Sequence, residues 1–382
     1  MGLSDILSLG QSIIGSGRGV KSEYWNNPTA ISITVDGRAL KFPDDTKYTD
    51  IELNASMGAE ASQFVMELLV PNAFTGGKWR CESMISQLKL GSSVAVNLGY
   101  KIGASKSETQ EVFKGFIARV SVNYDAEGKA VIKAIFADAK IWMMSNVQTA
   151  KYNDYSQATQ KVLNAHAKRF SGKTVDIPCS KKSVGDIIQY GQTDYDFLVD
   201  IAKKTGSLFF ISRGKVYFVS CSYKGKSISV DVADRVIIKI SRVRNMLGVP
   251  FETKISSISK QDPSKIISAT TKSSVTIGTG KSPSASIKNL SGCTNNEVYT
   301  GIGSMQELKD YAKADQFYRE LNFNTVTIEM RGCVFVEIGS MITVKGFGEE
   351  FNNTYLVYAL RYKYNKQSDK MITILTCKST RI

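Results

Sequence analysis

One histidine, His166, serves a chain of 382 residues. That scarcity excludes zinc sites of the HExxH type and every multi-histidine metal cluster. A Ser-His-Asp triad would have to use this residue. It lies in a helical pattern, Tyr152 to Phe170, where Val162, His166 and Phe170 recur at four-residue spacing. We therefore read it as a helix-face histidine beside a core. The six cysteines, Cys81, Cys179, Cys221, Cys293, Cys333 and Cys377, include no CxxC pair. They read as reduced thiols, several on strands, with neither a zinc framework nor a disulfide knot. GxxxxGK[ST], GxGxxG after a strand and GxSxG are all missing. The carboxylate pairs Asp44-Asp45 and Glu349-Glu350 are sequence neighbours in polar turns, whereas glycosidase-like pairs come from separated elements. The expectation is a protein that is not an enzyme, with no catalytic, cofactor-binding or metal-binding residues and no small-molecule substrate. No apolar run approaches the ~18–20 residues of a membrane-spanning helix. Met1 to Gly19 lack a basic region followed by an apolar stretch, and Asp5 stands where that stretch would begin. No signal peptide is expected, and synthesis and folding are expected in the cytoplasm.

What is present is an ordinary folded composition, 42% hydrophobic and 22% charged. The length suggests two to three domains at roughly 100–200 residues each. Forty-nine Lys and Arg against 35 Asp and Glu give a net charge of +14. That balance suits acidic partners, nucleic acid among them, without choosing between them.

Residues 1–28 form a small-residue arm with Leu3, Ile6, Leu7, Ile13 and Ile14 among Ser and Gly. From Thr29 to Val147 the pattern is mostly β. Ile31 to Val35 alternates before the hairpin signal Asp36-Gly37, and strand-like runs follow at Gln63–Val70, Ser93–Leu98, Val112–Tyr124 and Lys129–Ala137. Residues 150–228 change character. They hold a helix over Tyr155–Arg169, an extended stretch containing Pro178, and a second helix capped by Thr193 with Asp196 three residues on, closed by Gly206. Two short strands then turn at Arg213-Gly214. Residues 229–382 are β again. They carry a Ser/Thr-rich polar insertion at 268–300 and a helix at 304–321 opened by Ser304 and Glu307. The chain thus divides into an arm at 1–28, a β domain at 29–149, a small α+β domain at 150–228 and a second β domain at 229–382.

The two β regions look duplicated. Phe116 to Tyr124 lies over Leu356 to Tyr364 at an offset of 240, and the register continues without a gap into Val131-Ile132 over Met371-Ile372. Upstream, Gly91 to Val96 matches Gly339 to Val344 at an offset of 248, which makes the intervening loop eight residues shorter in the second copy. Each copy reads as a long half-buried antiparallel hairpin. The aromatic and basic mixture at Tyr355 to Lys366 would also suit a base-stacking strand, but alternation favours tyrosines on a core with the bases facing out.

Three segments, Gln192 to Gly206 followed by the hairpin Leu208 to Phe218, Ile338 to Val344 with Phe351 and Tyr355 to Val357, and Phe113 to Ile117, occur in an order that resembles one family. The chain is similar to baseplate hub proteins of contractile injection systems. These comprise the gpD-type tail hubs of Mu-like phages, the hubs of phage-tail-like bacteriocins and the amino-terminal region of the type VI secretion protein VgrG. It departs from them in having Asn353-Thr354 where Gly is usual and in lacking the histidine of the following strand. It also has no carboxy-terminal spike segment, which points to a spike on a separate chain.

The resemblance implies a mainly β fold with an α+β insert: two similar antiparallel, tail-tube-like β-barrel domains plus a small α+β domain. It implies a homotrimer whose paired barrels form a pseudo-sixfold ring joining a hexameric tail tube to a trimeric spike. Open barrel edges would pair between neighbouring subunits. Tail tube protein, spike protein, tape-measure protein and baseplate wedge proteins are the implied partners, in the baseplate of a phage tail or tail-like particle. Partner-interface residues on this reading are Ile6, Leu7, Ile13, Ile14, Val94, Val96, Ile342 and Val344. Two alternatives stay open: a nucleic-acid-binding β protein, and a tail protein that binds or hydrolyses cell-wall polysaccharide. No specific nucleic-acid binding is expected.

Overall fold

The computed structural model describes residues 27–58, 60–102, 106–176, 187–259, 262–272, 275–286, 294–299, 304–332, 336–366 and 368–381. Thirteen strands of the described residues build the main sheet: the two-residue Arg38–Ala39 beside Thr29–Val35, and twelve in two sets of six. In the first region they are β1 (Thr29–Val35), β2 (Lys47–Ser56), β3 (Gln63–Val70), β4 (Ser93–Ile102), β5 (Lys106–Tyr124) and β6 (Ala130–Ala137). In the second they are β7 (Ser227–Asp231), β8 (Ile237–Arg244), β9 (Asn324–Arg331), β10 (Met341–Lys345), β11 (Asn353–Asn365) and β12 (Lys370–Ser379). Alternation sets their faces: in β3, Phe64, Met66, Leu68 and Val70 are buried while the residues between them are not. Asp36 and Gly37, both at positive φ, close the hairpin after β1 as the Asp-Gly signal predicts.

The strand order is β1-β4-β5-β6-β3-β2 in the first unit and β7-β10-β11-β12-β9-β8 in the second. Each strand of one unit therefore has its counterpart six places later, in the same spatial order. Local detail repeats as well. The Gly91 N–H donates to Ile117 O at 2.8 Å and the Ile117 N–H to Ser92 O. In the second unit the Gly339 N–H donates to Val357 O at 3.0 Å and the Val357 N–H to Ser340 O. A β-bulge falls between Ile117 and Arg119 and, 240 residues on, between Val357 and Ala359. The expected gapless register needs one correction. Tyr124 faces Ala130, but Tyr364 faces Met371, so the second turn is one residue longer and Val131 corresponds to Ile372. The extra residue keeps Met371, Thr373, Leu375 and Cys377 on the buried face. The units also differ at their first strand: β1 runs antiparallel to β4, whereas β7 runs parallel to β10.

The units are not separate closed barrels. β11 pairs antiparallel with β2, so one sheet runs through both, and no pairing among the described residues closes either into a barrel. A shared core reaches from Ile33 to Cys377.

Between the units lies a compact α+β body with its own core, including Met143, Tyr152, Leu163, Phe197, Leu198 and Phe218. Helix α1 (Tyr155–Ala165) is capped by Asp154, whose side chain accepts from the Gln157 N–H. Helix α2 (Asp194–Thr205) starts at Thr193, which accepts from the Asp196 N–H, and ends at left-handed Gly206. The stretch around Pro178 lies outside the described residues. Between β8 and β9 the second unit carries an insertion: a three-stranded sheet of Glu252–Ile258, Ile266–Thr271 and Thr294–Tyr299, packed on helix α3 (Met305–Glu320). Ser304 caps α3 by accepting from the Glu307 N–H.

Candidate assembly interface

The feature that organises the molecule is the joint between its two sheet units. Residues 359–363 of β11 face residues 52–56 of β2 in antiparallel register, with Leu360 opposite Ala55 and Tyr362 opposite Leu53. On the core side Leu53, Leu360 and Tyr362 are all buried. On the other side Arg361 Nη2 donates to Glu52 Oε2 at 2.8 Å. Burial works against the charge on Glu52, but hydrogen bonds from Arg361 and Asn54 outweigh it and hold the carboxyl below its usual range. This pair is partly exposed and contributes at most ~1 kcal/mol. The backbone ladder and the buried faces hold the joint.

Past the joint the chain turns. The Gly58 N–H donates to Ser56 Oγ, and the Met57 N–H donates to Tyr358 O at 2.9 Å. Lys140 supports this turn from beneath. Its Nζ donates to the carbonyls of Ser56, Gly58 and Glu60, each at 3.0 Å. Asp138 sits beside it, accepting from the Ser62 and Lys140 N–H groups. Burial pushes Asp138 up and Lys140 down from their ordinary values, against the attraction between them. Tyr195 of α2 donates to Gly58 O at 2.9 Å, tying the α+β body to the same turn. A cavity of about 250 Å³, lined by Met57, Tyr195, Leu208, Tyr318 and Tyr358, lies against the joint.

The residues expected at a partner interface fall elsewhere. Ile6, Leu7, Ile13 and Ile14 lie outside the described residues. Val94 and Val96 on β4, and Ile342 and Val344 on β10, occupy equivalent places in the two units, but all four side chains are 2% exposed or less. The expectation that these four touch a partner is corrected: alternation commits them to the chain's own core. Lys140 and the joint residues were missed. A lysine opening the apolar run Lys140 to Met144 was a signal, but its three carbonyl partners lie some 80 residues upstream.

His166 is buried, as a histidine beside a core should be, but it stands at the end of the helix and not on its face. It caps the end of α1, 2% exposed, with Nε2 2.8 Å from Asp194 Oδ2 and Nδ1 2.8 Å from Arg169. Asp194 also accepts from Gln189 and Asn146. Burial raises its carboxyl, and these three partners more than reverse that, leaving it lowered. The group ties α1 to α2 and offers no nucleophile to a substrate. Cys81, Cys221 and Cys377 are buried free thiols. Among the described residues no cluster of three His, Cys, Asp or Glu could hold a metal, and no helix is long and apolar enough to cross a membrane.

Comparison with known proteins gives the following. The family described as Alg8 N-terminal domain matches residues 82–366. No curated protein matches. Among solved structures, the 43 kDa tail protein of prophage MuSo2 from Shewanella oneidensis aligns with TM-score 0.66 at 13% identity, over 92% of this chain and 98% of that one. The tail protein from Neisseria meningitidis MC58 aligns with TM-score 0.64 at 14% identity, over 92% and 97%. The c3393 protein of E. coli, a type VI secretion component similar in structure to the T4 tail proteins gp27 and gp5, aligns with TM-score 0.52 at 11% identity, over 91% and 76%. At these identities what is shared is the fold. The mainly β architecture, and a fold shared with phage tail and type VI secretion proteins, are thereby borne out.

Proposed function

The chain belongs to the Alg8 N-terminal domain family, and from the fold it shares with tail proteins we propose that it is a structural baseplate hub of a contractile tail or tail-like injection particle. In this reading three copies form a ring of six similar sheet units. One face of the ring meets a sixfold tail tube and the other a threefold spike. The observation that carries the reading is the repeated strand order, β1-β4-β5-β6-β3-β2 and β7-β10-β11-β12-β9-β8, within one continuous sheet. A chain with two equivalent units lets threefold assembly present sixfold geometry. The role is structural and non-enzymatic. The parts that would carry catalysis elsewhere, such as the histidine with its carboxylate, are here buried in helix-to-helix contacts.

The test is the solution mass of the purified full-length chain by light scattering, with and without its spike. The expected result is a particle of three 42.0 kDa chains. A chain that stays at the mass of a single copy under both conditions overturns the reading. Steeply salt-dependent DNA binding in its place would support the nucleic-acid alternative.

A further inference from the structure

We infer that copies of this chain join through a repeat of the contact that joins its own two halves: the outer edge of β8 pairs antiparallel with residues Arg119–Asn123 of β5 in a second copy. The inference rests on the hub reading and specifies its joint. Within the chain, the second strand of unit one (β2) lies along the fifth strand of unit two (β11). The counterparts are β8, the second strand of unit two, and β5, the fifth strand of unit one. β8 pairs with β9 alone, and β5 pairs only with β4 and β6, so neither has a described strand at the matching edge. One chain thus carries both halves of a second joint, one on its edge strand β8 and the other on the carboxy-terminal half of β5, past the stretch that pairs with β4.

The correspondence holds residue by residue. Matching through β3 and β9 places Ile51 on Ile240, Leu53 on Arg242 and Met57 on Met246. The turn after each strand repeats: the Gly58 N–H donates to Ser56 Oγ at 3.2 Å, and the Leu247 N–H donates to Asn245 Oδ1 at 2.9 Å. Exposure marks the unfilled places. Met57 is 8% exposed against 56% for Met246, and Leu360 and Tyr362 are buried while their counterparts Val120 and Val122 are only half-buried. Ile238, Val243 and Leu247 continue the exposed apolar stretch along β8 and its turn. Carrying over the internal register sets Ser121 opposite Val243 and Asn123 opposite Ser241, with the Met246 N–H donating to Ala118 O of the other copy.

The chemistry selects this occupant over a second β8. Lys239, Arg242 and Arg244 would face like charges across two β8 edges, whereas Val120 to Asn123 carry none. Arg242 and Arg244 are already drawn to Glu350 and Asn324 of their own unit, leaving their aliphatic stems to cover Val120 and Val122. The joint is heterologous, one edge against a different one, so it propagates head to tail and is satisfied at every edge only in a closed ring.

The test is the double variant Ser121→Cys, Val243→Cys in the full chain. Facing residues of antiparallel strands bring their Cα atoms to about 4.5–5.5 Å, within disulfide range. Mild oxidation should give covalent dimers and trimers on a non-reducing denaturing gel, reversed by reductant. Each single variant should stay at one chain mass, because this joint never sets a residue against its own copy. Circular dichroism of the reduced double variant should match the parent, since neither side chain is in the core. A trimer by light scattering whose double variant does not crosslink above the single variants overturns the joint and leaves the hub reading standing. A chain that is monomeric up to its solubility limit, with and without its spike, and uncrosslinked overturns both.

Discussion

Lys140 shows how one residue fixes the geometry of the joint. An ammonium with three donors meets three carbonyls at the turn where β2 leaves the sheet. Lys140→Ala would take the ammonium donor from the Ser56 and Glu60 carbonyls, while Gly58 O keeps Tyr195. The expected loss is about 1–3 kcal/mol, from part-buried acceptors left without that donor, read as a lower denaturant midpoint with an unchanged slope. Asp194 makes a second case, and its sign follows from its lowered carboxyl. A carboxylate held below its ordinary range stabilises the fold above that range, and this stabilisation is lost as pH falls through its native value. As pH falls below about 4, the ordinary aspartate value, denaturant midpoints should fall more for the parent protein than for Asp194→Asn, which starts less stable but has no such titration. Parallel acid limbs for the two proteins would contradict this account.

At the scale of elements, the two units offer a controlled pair of sites. Gly91 and Gly339 occupy the same turn with φ of 80° and 83° and the same carbonyl partner. A Cβ added at Gly91 meets nothing within 4 Å, whereas at Gly339 it would lie 2.6 Å from Phe210 Cζ of the α+β body. Gly91→Ala should therefore cost only the backbone strain, about 1–2 kcal/mol. Gly339→Ala should cost more, because Phe210 is fully buried and stacked on Tyr217. Thermal melts of the two variants compare them directly, and equal losses would mean that Phe210 moves aside. The duplication is thus one of strand order and hydrogen bonding, with the surroundings of each unit free to differ.

At the scale of the molecule, a single sheet and a single core bind the two units, so the spacing between them is set by strand pairing and not by a linker. Negative-stain averages of the assembled hub, viewed down its axis, should show six lobes of similar size around an opening. Three lobes, or a solid disc, would mean that the two units do not take equivalent places. The bases and acids are spread over the whole chain, and several pair locally, such as Arg319 with Glu297 and Asp315. The +14 balance is therefore not gathered into one segment of the sequence.

Much of the local structure was legible from residue order. The Asp36-Gly37 and Arg213-Gly214 turns, the Thr193 and Ser304 caps, the Gly206 stop and the alternation of β3, β5 and β6 all follow from interactions that span a few residues. The repeat was legible too, because hairpins at a fixed offset keep the same alternation and the same glycine. Its one-residue slip at the second turn was not, since polar turn residues carry no pattern that counts them. The joint itself was beyond reach. Nothing in Leu53 or Tyr362 says which strand will lie alongside, and only chain topology brings residues 309 apart into the Arg361–Glu52 contact. By itself, then, the order of amino acids determined the strands, their faces and their duplication, because those depend on neighbours along the chain. Tertiary structure decided that the two units share one sheet and that β8 and the last part of β5 each keep an edge without a partner strand among the described residues, because pairing between distant strands is a choice among many similar edges.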